Sequence, residues 1–327
     1  MLLTTSVQDT IKIEDLRLSA SAVKEYKTCG RKFYLNRIAK EAPTHPDNIY
    51  TWIGTTVHTS IYYSIADFSD GSWKVGDAKT IDKVKTFFNL IWDTDTDVDI
   101  IKNLIRSGVL DSNRPNFSSR PVNDKNLLKN NNLTDEEKWK QLAWSMVSTG
   151  YQLMTDVILG IDGLKSINLE VPISFKRYGV SFIGYIDILI ESKDGMAFFD
   201  LKTSKRPITQ PDKDVQFFLY RHGLKNVYDL SYLPFGYYVY LRKGRLYPAN
   251  SVDFSIVENL DNEIKLAING ILKGRFEPSL YSPLCPYCEY RGICYVGGLP
   301  DSPYNLLDLK EKVTLPETLP EEAIAED

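Results

Sequence analysis

The sequence predicts an α/β (α+β) fold in which a mixed β-sheet is flanked by helices. Three observations support this prediction. The chain before Gly163 is mainly helical in its apolar spacing, three β-rich runs then follow one another through short turns, and a helix separates the third run from a fourth. A β-meander that continues into a β-α-β unit combines antiparallel and parallel pairs in one sheet.

The first half of the chain is predicted to be helical. Ser19 or Ser21 can cap the first helix, and Cys29-Gly30 marks a break before a second helix that begins near Arg31. The further helices share apolar residues at three- and four-residue spacing and are predicted over residues 52–66, 81–92, 100–105 and 134–161. Thr134 and Glu137 form a capping box at the start of the last of these helices. Residues 111–132 are rich in Asn, Ser and Pro and are predicted to be a loop.

The second half of the chain supplies the sheet. Its strands are rich in β-branched and aromatic residues and are predicted over residues 167–175, 180–191, 196–202 and 235–242, with a short continuation at 246–247. Its helices are predicted over residues 213–224 and 252–272. No internal repeat is evident in the sequence.

The composition is that of an ordinary globular protein. Of the 327 residues, 43% are hydrophobic and 25% are charged, which excludes a collagen-like, coiled-coil or wholly disordered chain. No apolar run approaches the roughly 18 residues of a membrane span, and the first ten residues lack the basic and apolar regions of a signal peptide. We therefore expect a soluble cytoplasmic protein without a membrane partner.

The net charge of −4 conceals two regions of opposite sign. Residues 301–327 contain eight acids and two lysines, and we expect this tail to be disordered. Residues 17–40 contain seven bases and one acid. Such a basic segment suits an anionic partner such as a DNA backbone, although a solvated helix face is the commoner explanation of a charge run.

Two acidic residues and a lysine interrupt strands that are otherwise apolar. Asp187 lies within FIGYIDILI, and Asp200 and Lys202 end MAFFDLK, two residues apart and therefore on one face of the strand. A hairpin between these strands would bring the two carboxylates together, where they repel each other unless a cation lies between them. Oxygen ligands with open positions suit Mg²⁺ or Mn²⁺. A buried salt bridge is the structural alternative.

The order of these motifs resembles the RecB-type branch of the PD-(D/E)XK nuclease superfamily. A G-x-x-x-H helix precedes G-x-x-D, D-x-K and Q-x-x-x-Y in the chain. The resemblance implies a restriction-endonuclease-like fold. It also implies the following roles: metal ligands His58, Asp187, Asp200 and the carbonyl of Leu201; catalytic lysine Lys202, acting with Asp187 and Asp200; substrate-binding residues Gln216 and Tyr220; and a supporting acid, Glu170, on the first strand.

The four cysteines form a second candidate site. Cys285, Cys288 and Cys294 lie within ten residues, whereas Cys29 is far upstream, in KTCGRKFY. Four thiolates can hold zinc or an iron–sulfur cluster, and the structural alternative is that the cysteines are core thiols that bind no metal. The pattern is similar to that of the iron–sulfur RecB-type nucleases, which include CRISPR-adaptation exonucleases and AddB-type subunits. The resemblance implies a [4Fe–4S] cluster that clasps the two ends of the nuclease, with Arg31 and Lys32 beside the DNA.

The resemblance also implies an activity and a domain arrangement. The expected function is a Mg²⁺- or Mn²⁺-dependent exonuclease on single-stranded DNA ends, in recombination, repair, phage replication or CRISPR adaptation, with a helicase or an integrase as a possible partner. The expected nuclease domain covers residues 1–300, with a helical insert at about 67–160, the cluster residues 285–294 plus Cys29, and the tail at 301–327. The alternative is a non-catalytic subunit that binds DNA or a helicase through the same fold.

Overall fold

The chain forms two compact units, each built from two separate segments. One unit comprises Met1–Lys27 with Asp47–Arg275, and the other comprises Thr28–Pro46 with Phe276–Asp327. The structure is a computed structural model, and it describes residues 12–43, 49–93, 99–110, 115–119, 122, 127, 132–249, 253–279, 282–285 and 288–294. The expected tail at 301–327 and most of the expected loop at 111–132 lie outside the described residues.

A six-stranded mixed sheet forms the centre of the first unit. The strands of the chain are β1 (Arg17–Leu18), β2 (Ala66–Ser69), β3 (Ser72–Val75), β4 (Leu164–Arg177), β5 (Val180–Ser192), β6 (Gly195–Lys202), β7 (Phe235–Tyr240) and β8 (Arg245–Ala249). In the sheet, β4, β5 and β6 form an antiparallel meander, β7 runs parallel to β6, and β8 returns antiparallel to β7. The predicted meander followed by a β-α-β unit, and with it the mixed α/β fold class, is confirmed.

The helices follow the sequence prediction closely. They are α1 (Ala20–Thr28), α2 (Gly30–Phe33), α3 (Ile49–Tyr63), α4 (Ile81–Trp92), α5 (Asp99–Arg106), α6 (Asp135–Gly160), α7 (Val215–Val227) and α8 (Phe254–Leu272). Ser19 caps α1, because its hydroxyl accepts a hydrogen bond from the Ala22 amide. The break at Cys29 and the capping box of Thr134 and Glu137 are both present.

The prediction for residues 52–66 was wrong at its end. Helix α3 stops at Tyr63, and Ala66 instead begins β2, which pairs with β3 in a two-stranded hairpin. The turn residues Asp70 and Gly71 both have positive φ angles, +52° and +75°, as a tight hairpin turn requires. The Asp-Gly pair was therefore an overlooked hairpin signal. A second omission is β1, which pairs parallel to β5.

One face of the sheet packs against α3 and α6. Val57 and Ile61 of α3 join Met146 of α6 and Ile188 and Phe199 of the sheet in a core whose members are almost fully buried. Each such side chain contributes about 1.5–3 kcal/mol through the removal of apolar surface from water. This packing fixes α3 against β5 and β6 and thereby sets the position of the residues on its exposed side.

Candidate active site

Three carboxylates lie side by side on three adjacent strands. The β4–β5 register pairs Leu169 with Ile188, which places Glu170 opposite Asp187. The β5–β6 register pairs Ile188 with Phe199 and, continued by one residue, places Asp187 opposite Asp200. The hairpin expected from the sequence thus brings Asp187 and Asp200 together, and Glu170 joins them as a third acid.

The strands change faces at this row of carboxylates. Leu169 packs into the core beneath α3 and α6, whereas Ile173, four residues further along β4, packs against Gly223 of α7. Residues four apart on a regular strand share a face. Glu170 lies between them with a φ of +50°, a conformation rare for a residue that has a Cβ. The alternation of side chains along β4 therefore shifts by one residue at Glu170. Side chains that would share one face of a regular strand lie on the α3 and α6 side before Glu170 and on the α7 side after it.

Asp200 is the most deeply buried of the three acids, with an exposed fraction of 3%. One of its oxygens, Oδ1, accepts a hydrogen bond from the Gln216 amide at 2.6 Å. The other, Oδ2, lies 2.6 Å from Nζ of Lys202. Lys202 in turn donates to Oε1 of Gln216 at 3.2 Å, so that Asp200, Lys202 and Gln216 form a closed triangle.

Helix α7 holds Gln216 in this triangle. Asp214 caps the helix by accepting a hydrogen bond from the Gln216 amide N–H at 2.8 Å, and Lys24 pairs with the same carboxylate oxygen at 2.5 Å. The side-chain amide of Gln216 also donates to the Tyr220 hydroxyl one turn later, at 3.2 Å. The two residues expected to share a helix face therefore share one hydrogen-bond network, anchored at the helix start.

His58 approaches the carboxylates from α3. Its Nδ1 lies 3.8 Å from Oδ2 of Asp187, and its ring contacts the main chain of Leu201. The same Asp187 oxygen accepts a hydrogen bond from the Leu201 amide at 2.6 Å. His58, Asp187, Asp200 and Leu201 are thus brought to one place.

Burial and crowding of like charge dominate the electrostatics of the row. Burial raises the pKa of Asp187 to about 8, and the neighbouring charge of Asp200 adds to that rise. Burial, and then the charge of Asp187, likewise raises the pKa of Glu170. Burial alone would lower the pKa of Lys202, but the charge of Asp200 and their hydrogen bond outweigh it and raise the pKa. Burial lowers the pKa of His58 despite the charge of Asp200.

The four cysteines all lie in the second unit. They are half-buried free thiols in segments that are distant in sequence. The sulfur of Cys29 accepts a hydrogen bond from the Lys32 amide at 3.4 Å. Burial raises the pKa of Cys288, to which the charge of Cys294 also contributes. Within the part of the chain that the structure describes, no three His, Cys, Asp or Glu side chains stand close enough together to hold a metal ion.

The two basic residues expected beside the DNA and the carboxylate row lie in different units. Arg31 and Lys32 belong to the second unit, and the carboxylate row belongs to the first. The guanidinium of Arg31 stacks over the Tyr34 ring at 5.2 Å, and Lys32 pairs with Glu289 at 3.3 Å.

Sequence reasoning missed several residues that complete the site. The Tyr62 ring lies on α3 beside Glu170 and Asp187; burial, followed by the charge of Asp187, raises the pKa of its hydroxyl. The Tyr238 ring lies under the ammonium of Lys202, with Nζ 4.9 Å from its centroid. Asp214 carried a local signal, since an acid directly before an apolar helix is a typical N-cap.

The described helices include none that is long and apolar enough to cross a membrane. Comparison with known proteins gives a family match over most of the chain. A model of the PD-(D/E)XK nuclease superfamily matches residues 17–295. No curated protein matches the sequence.

Solved structures with distant likeness to the chain include the following three. A protein from Eubacterium rectale, described as a candidate exonuclease, aligns over 96% of this chain and 100% of its own, at 10% identity and a TM-score of 0.42. The protein SSO0001 aligns over 49% of this chain and 78% of its own, at 18% identity and a TM-score of 0.23. Protein VC1899 from Vibrio cholerae aligns over 78% of this chain and 56% of its own, at 11% identity and a TM-score of 0.20.

Proposed function

The chain belongs to the PD-(D/E)XK nuclease superfamily, and on that basis we propose that it is a Mg²⁺- or Mn²⁺-dependent deoxyribonuclease that hydrolyses phosphodiester bonds. The observation that supports this most is the row of Glu170, Asp187 and Asp200, with Lys202 only 2.6 Å from Asp200. Three adjacent acids, two of which (Asp187 and Glu170) have a raised pKa because of burial and neighbouring negative charge, stand beside a lysine in ion-pair contact, as expected of a phosphoryl-transfer site.

The chemistry of the carboxylate row suits a divalent cation, whose binding would draw together side chains that stand too far apart to hold it in this arrangement. Oδ2 of Asp200 is buried and, among the described residues, accepts no hydrogen bond of good geometry; its close contact is the Lys202 ammonium. Carboxylate oxygens beside one imidazole suit Mg²⁺ or Mn²⁺. His58, Asp187, Asp200 and the Leu201 carbonyl would hold the ion, and Glu170 would support them from the neighbouring strand. The ion would supply Lewis-acid activation of water and neutralisation of charge at the phosphate.

Lys202 is the residue we propose to serve the attacking water. Its ammonium has three N–H donors; it forms an ion pair with Asp200 and donates one hydrogen bond to Gln216. A remaining donor can hold a water or a phosphate oxygen while these two contacts fix the side chain. Gln216 and Tyr220 would support this arrangement, and the DNA beside it, from α7.

The finer assignments follow the motifs. We propose a RecB-type nuclease domain over residues 1–300, with a helical insert at about 67–160, that acts in the cytoplasm as an exonuclease on single-stranded DNA ends. Recombination, repair, phage replication and CRISPR adaptation are processes that use this chemistry, and a helicase or an integrase would be a suitable partner. The tail at 301–327 would lie outside the nuclease domain.

A [4Fe–4S] cluster bound by Cys29, Cys285, Cys288 and Cys294 is the second part of the proposal. The membership of all four thiols in one compact unit supports it, because two segments far apart in sequence supply a complete tetrathiolate set. Zinc suits the same four ligands. Arg31 and Lys32, next to Cys29, would place positive charge near the DNA.

A cleavage assay tests the nuclease proposal directly. Protein purified without oxygen would be incubated with end-labelled linear single-stranded DNA and with circular single-stranded DNA, in Mg²⁺, in Mn²⁺ and in EDTA. We expect metal-dependent cleavage of the linear substrate only. Asp200→Ala and Lys202→Ala should each reduce the rate by at least about 10²–10³-fold, as loss of electrostatic stabilisation does in other enzymes.

Lys193→Ala is the matched control, because it removes the same charge from an exposed turn of the first unit. It should cleave like the wild type. Wild-type rates in both active-site variants would contradict the proposal. Cleavage of the circle would replace the exonuclease assignment with an endonuclease, and absence of any cleavage would favour a non-catalytic subunit.

A further inference from the structure

A pocket opens at the end of the strands that carry the candidate active site. It has a volume of about 290 Å³ and is lined by Tyr50, Thr203, Ser204, Lys205 and Arg242. Three of these residues directly follow Lys202, the last residue of β6, and Arg242 follows the end of the parallel strand β7. The two ends are joined by a hydrogen bond from the Leu241 amide to the Lys202 carbonyl, at 3.0 Å. In sheets with parallel strands, ligands bind at this carboxyl end.

The charge of the pocket suits a phosphate group. Lys205 and Arg242 are cationic, Thr203 and Ser204 supply hydroxyl donors, and none of the five lining residues is acidic. A guanidinium and an ammonium beside hydroxyl groups form a typical set of phosphate contacts. The active-site row next to the pocket is, by contrast, rich in carboxylates.

Tyr50 gives the pocket an aromatic wall. The ring is 46% exposed, and it packs edge-on against the fully buried Trp139, with 5.6 Å between ring centroids. This contact limits the orientations of the ring and leaves much of its surface accessible. An exposed aromatic ring beside basic residues is the arrangement on which unpaired bases stack in proteins that bind single strands.

The pocket is close enough to the active site to hold a neighbouring nucleotide. Lys205 is the third residue after Lys202, so their Cα atoms are at most about 11 Å apart. Tyr50 and His58 lie on the same helix, eight residues and about 12 Å apart along its axis. Both bounds are of the size of one or two nucleotide steps in an extended strand.

We propose that this pocket binds one nucleotide of a single-stranded DNA, one or two positions from the bond that is cleaved. Lys205 and Arg242 contact its phosphate, with Thr203 and Ser204 beside them, and the base stacks on Tyr50. This inference rests on the proposed nuclease function and names how that site holds its substrate. The need for an unpaired base on Tyr50 makes the pocket a source of preference for single strands over duplexes.

Binding and cleavage measured side by side test the inference. The probe is a fluorescein-labelled oligodeoxythymidylate, and its affinity is measured by anisotropy over a series of salt concentrations, in the Lys202→Ala background so that the probe stays intact. Tyr50→Ala should weaken binding about 5- to 100-fold, whereas Tyr50→Phe, which keeps the ring, should remain within about twofold of the parent. Lys205→Ala should reduce the slope of log K against log salt by about 0.7.

Lys165→Ala is the matched charge control, because it removes an exposed lysine at the start of β4 and should leave the salt slope unchanged. The same pocket substitutions in the active protein should slow cleavage of single-stranded DNA. Suppose that the wild type cleaves DNA, and that Tyr50→Ala and Lys205→Ala change neither binding in the Lys202→Ala background nor cleavage in the active protein. The pocket inference is then overturned and the nuclease proposal stands. If the wild type neither binds nor cleaves single-stranded DNA, both are overturned.

Discussion

Burial and a neighbouring like charge disfavour the ionised form of Asp187. Its carboxylate lies between Glu170 and Asp200 on adjacent strands, and its pKa is raised to about 8 by burial and by the charge of Asp200. Within the protein, the Leu201 amide provides a direct hydrogen bond to it. The energetic cost of ionising Asp187 is therefore what a divalent cation would remove, which couples the stability of the fold to metal binding.

This coupling gives a pH-dependent prediction for the protein in EDTA. The folded pKa of Asp187, about 8, exceeds the value of about 4 expected in the unfolded chain, so between these pH values the folded state binds the extra proton. The free energy of unfolding should therefore fall as pH rises from 4 to 8. Asp187→Asn should flatten this fall and should be the more stable protein at pH 8, by about 1.4 kcal/mol per pKa unit of the shift. Urea denaturation at pH 5 and pH 8 measures both effects.

Addition of Mg²⁺ at pH 8 should raise the urea midpoint of the wild type and leave that of Asp187→Asn almost unchanged. Asp194→Asn serves as the control, because it removes one carboxylate from an exposed turn and keeps a favourable turn sequence before Gly195. An equal pH slope in wild type and Asp187→Asn would show that Asp187 is not the group responsible.

At this scale the sequence predicted the residues that have local motifs. His58, Asp187, Asp200 and Lys202 stand at recognisable spacings, and the structure brings them together. Tyr62 has no such motif, because its place beside the carboxylates depends on how α3 packs against the sheet. Contacts made only by tertiary packing leave little trace in a single sequence.

The elements of the site approach each other closely at one glycine. A Cβ added to Gly184 of β5 would lie 2.9 Å from the Tyr220 ring on α7, nearer than such contacts normally come. The G-x-x-D spacing therefore has a steric component: the glycine admits Tyr220, which accepts a hydrogen bond from Gln216 at 3.2 Å. The strand and the helix must meet at this distance for Gln216 to reach Asp200.

Gly184→Ala should therefore damage the site through α7. The added methyl group should displace the Tyr220 ring, cost about 1–3 kcal/mol of stability as overpacking does, and reduce the cleavage rate about tenfold. Gly54→Ala on α3 is the matched control, since its Cβ would have no neighbour closer than 3.8 Å and alanine favours a helix interior by about 0.5–1 kcal/mol. Thermal denaturation and the cleavage assay report the two effects. Equal stability and activity of the two variants would contradict the steric argument.

Predictions at the scale of elements succeeded where the apolar period was long. The 26-residue helix α6 and the meander of β4, β5 and β6 each contain enough residues for their periodicity to be clear. The hairpin of β2 and β3 has only four residues in each strand, and most of β3 is exposed, so no alternation marks it. The shift at Glu170 was also hidden, because a positive φ angle at a glutamate has no sequence signal.

At the scale of the whole molecule, an early and a late segment of the chain combine in one compact unit. The second unit takes Thr28–Pro46 from the early part of the chain and Phe276–Asp327 from the late part. Its two described segments are joined by hydrogen bonds from Ser279 to the Thr28 carbonyl and from Tyr290 to Asn36. The resemblance of the cysteine pattern to iron–sulfur nucleases implied that these segments belong together, whereas the residues that join them were not visible in the sequence.

A cluster bound by the four cysteines should be the main stabilising element of this second unit. Cys288→Ser is expected to lose iron, from about four atoms per chain in protein prepared without oxygen, because a tetrathiolate cluster needs all of its ligands. Hydrogen exchange should then accelerate at the described amides of residues 30–43 and 282–294, while the amides of β5 and β6 in the first unit stay protected. Iron and sulfide analysis and exchange mass spectrometry measure these outcomes.

Ser279→Ala is the matched control for this experiment. It removes the hydrogen bond from Ser279 to the Thr28 carbonyl, which joins the same two segments, yet it keeps the Ser279 main-chain carbonyl, to which the Cys285 thiol donates a hydrogen bond at 3.8 Å. It should cost about 1 kcal/mol and leave the iron content unchanged. One zinc per chain in place of iron would keep the four-thiolate site and change its occupant. If the wild type contains neither iron nor zinc and Cys288→Ser exchanges its amide hydrogens at the wild-type rate, the metal site itself is contradicted. The two segments would then be held together by their protein contacts alone.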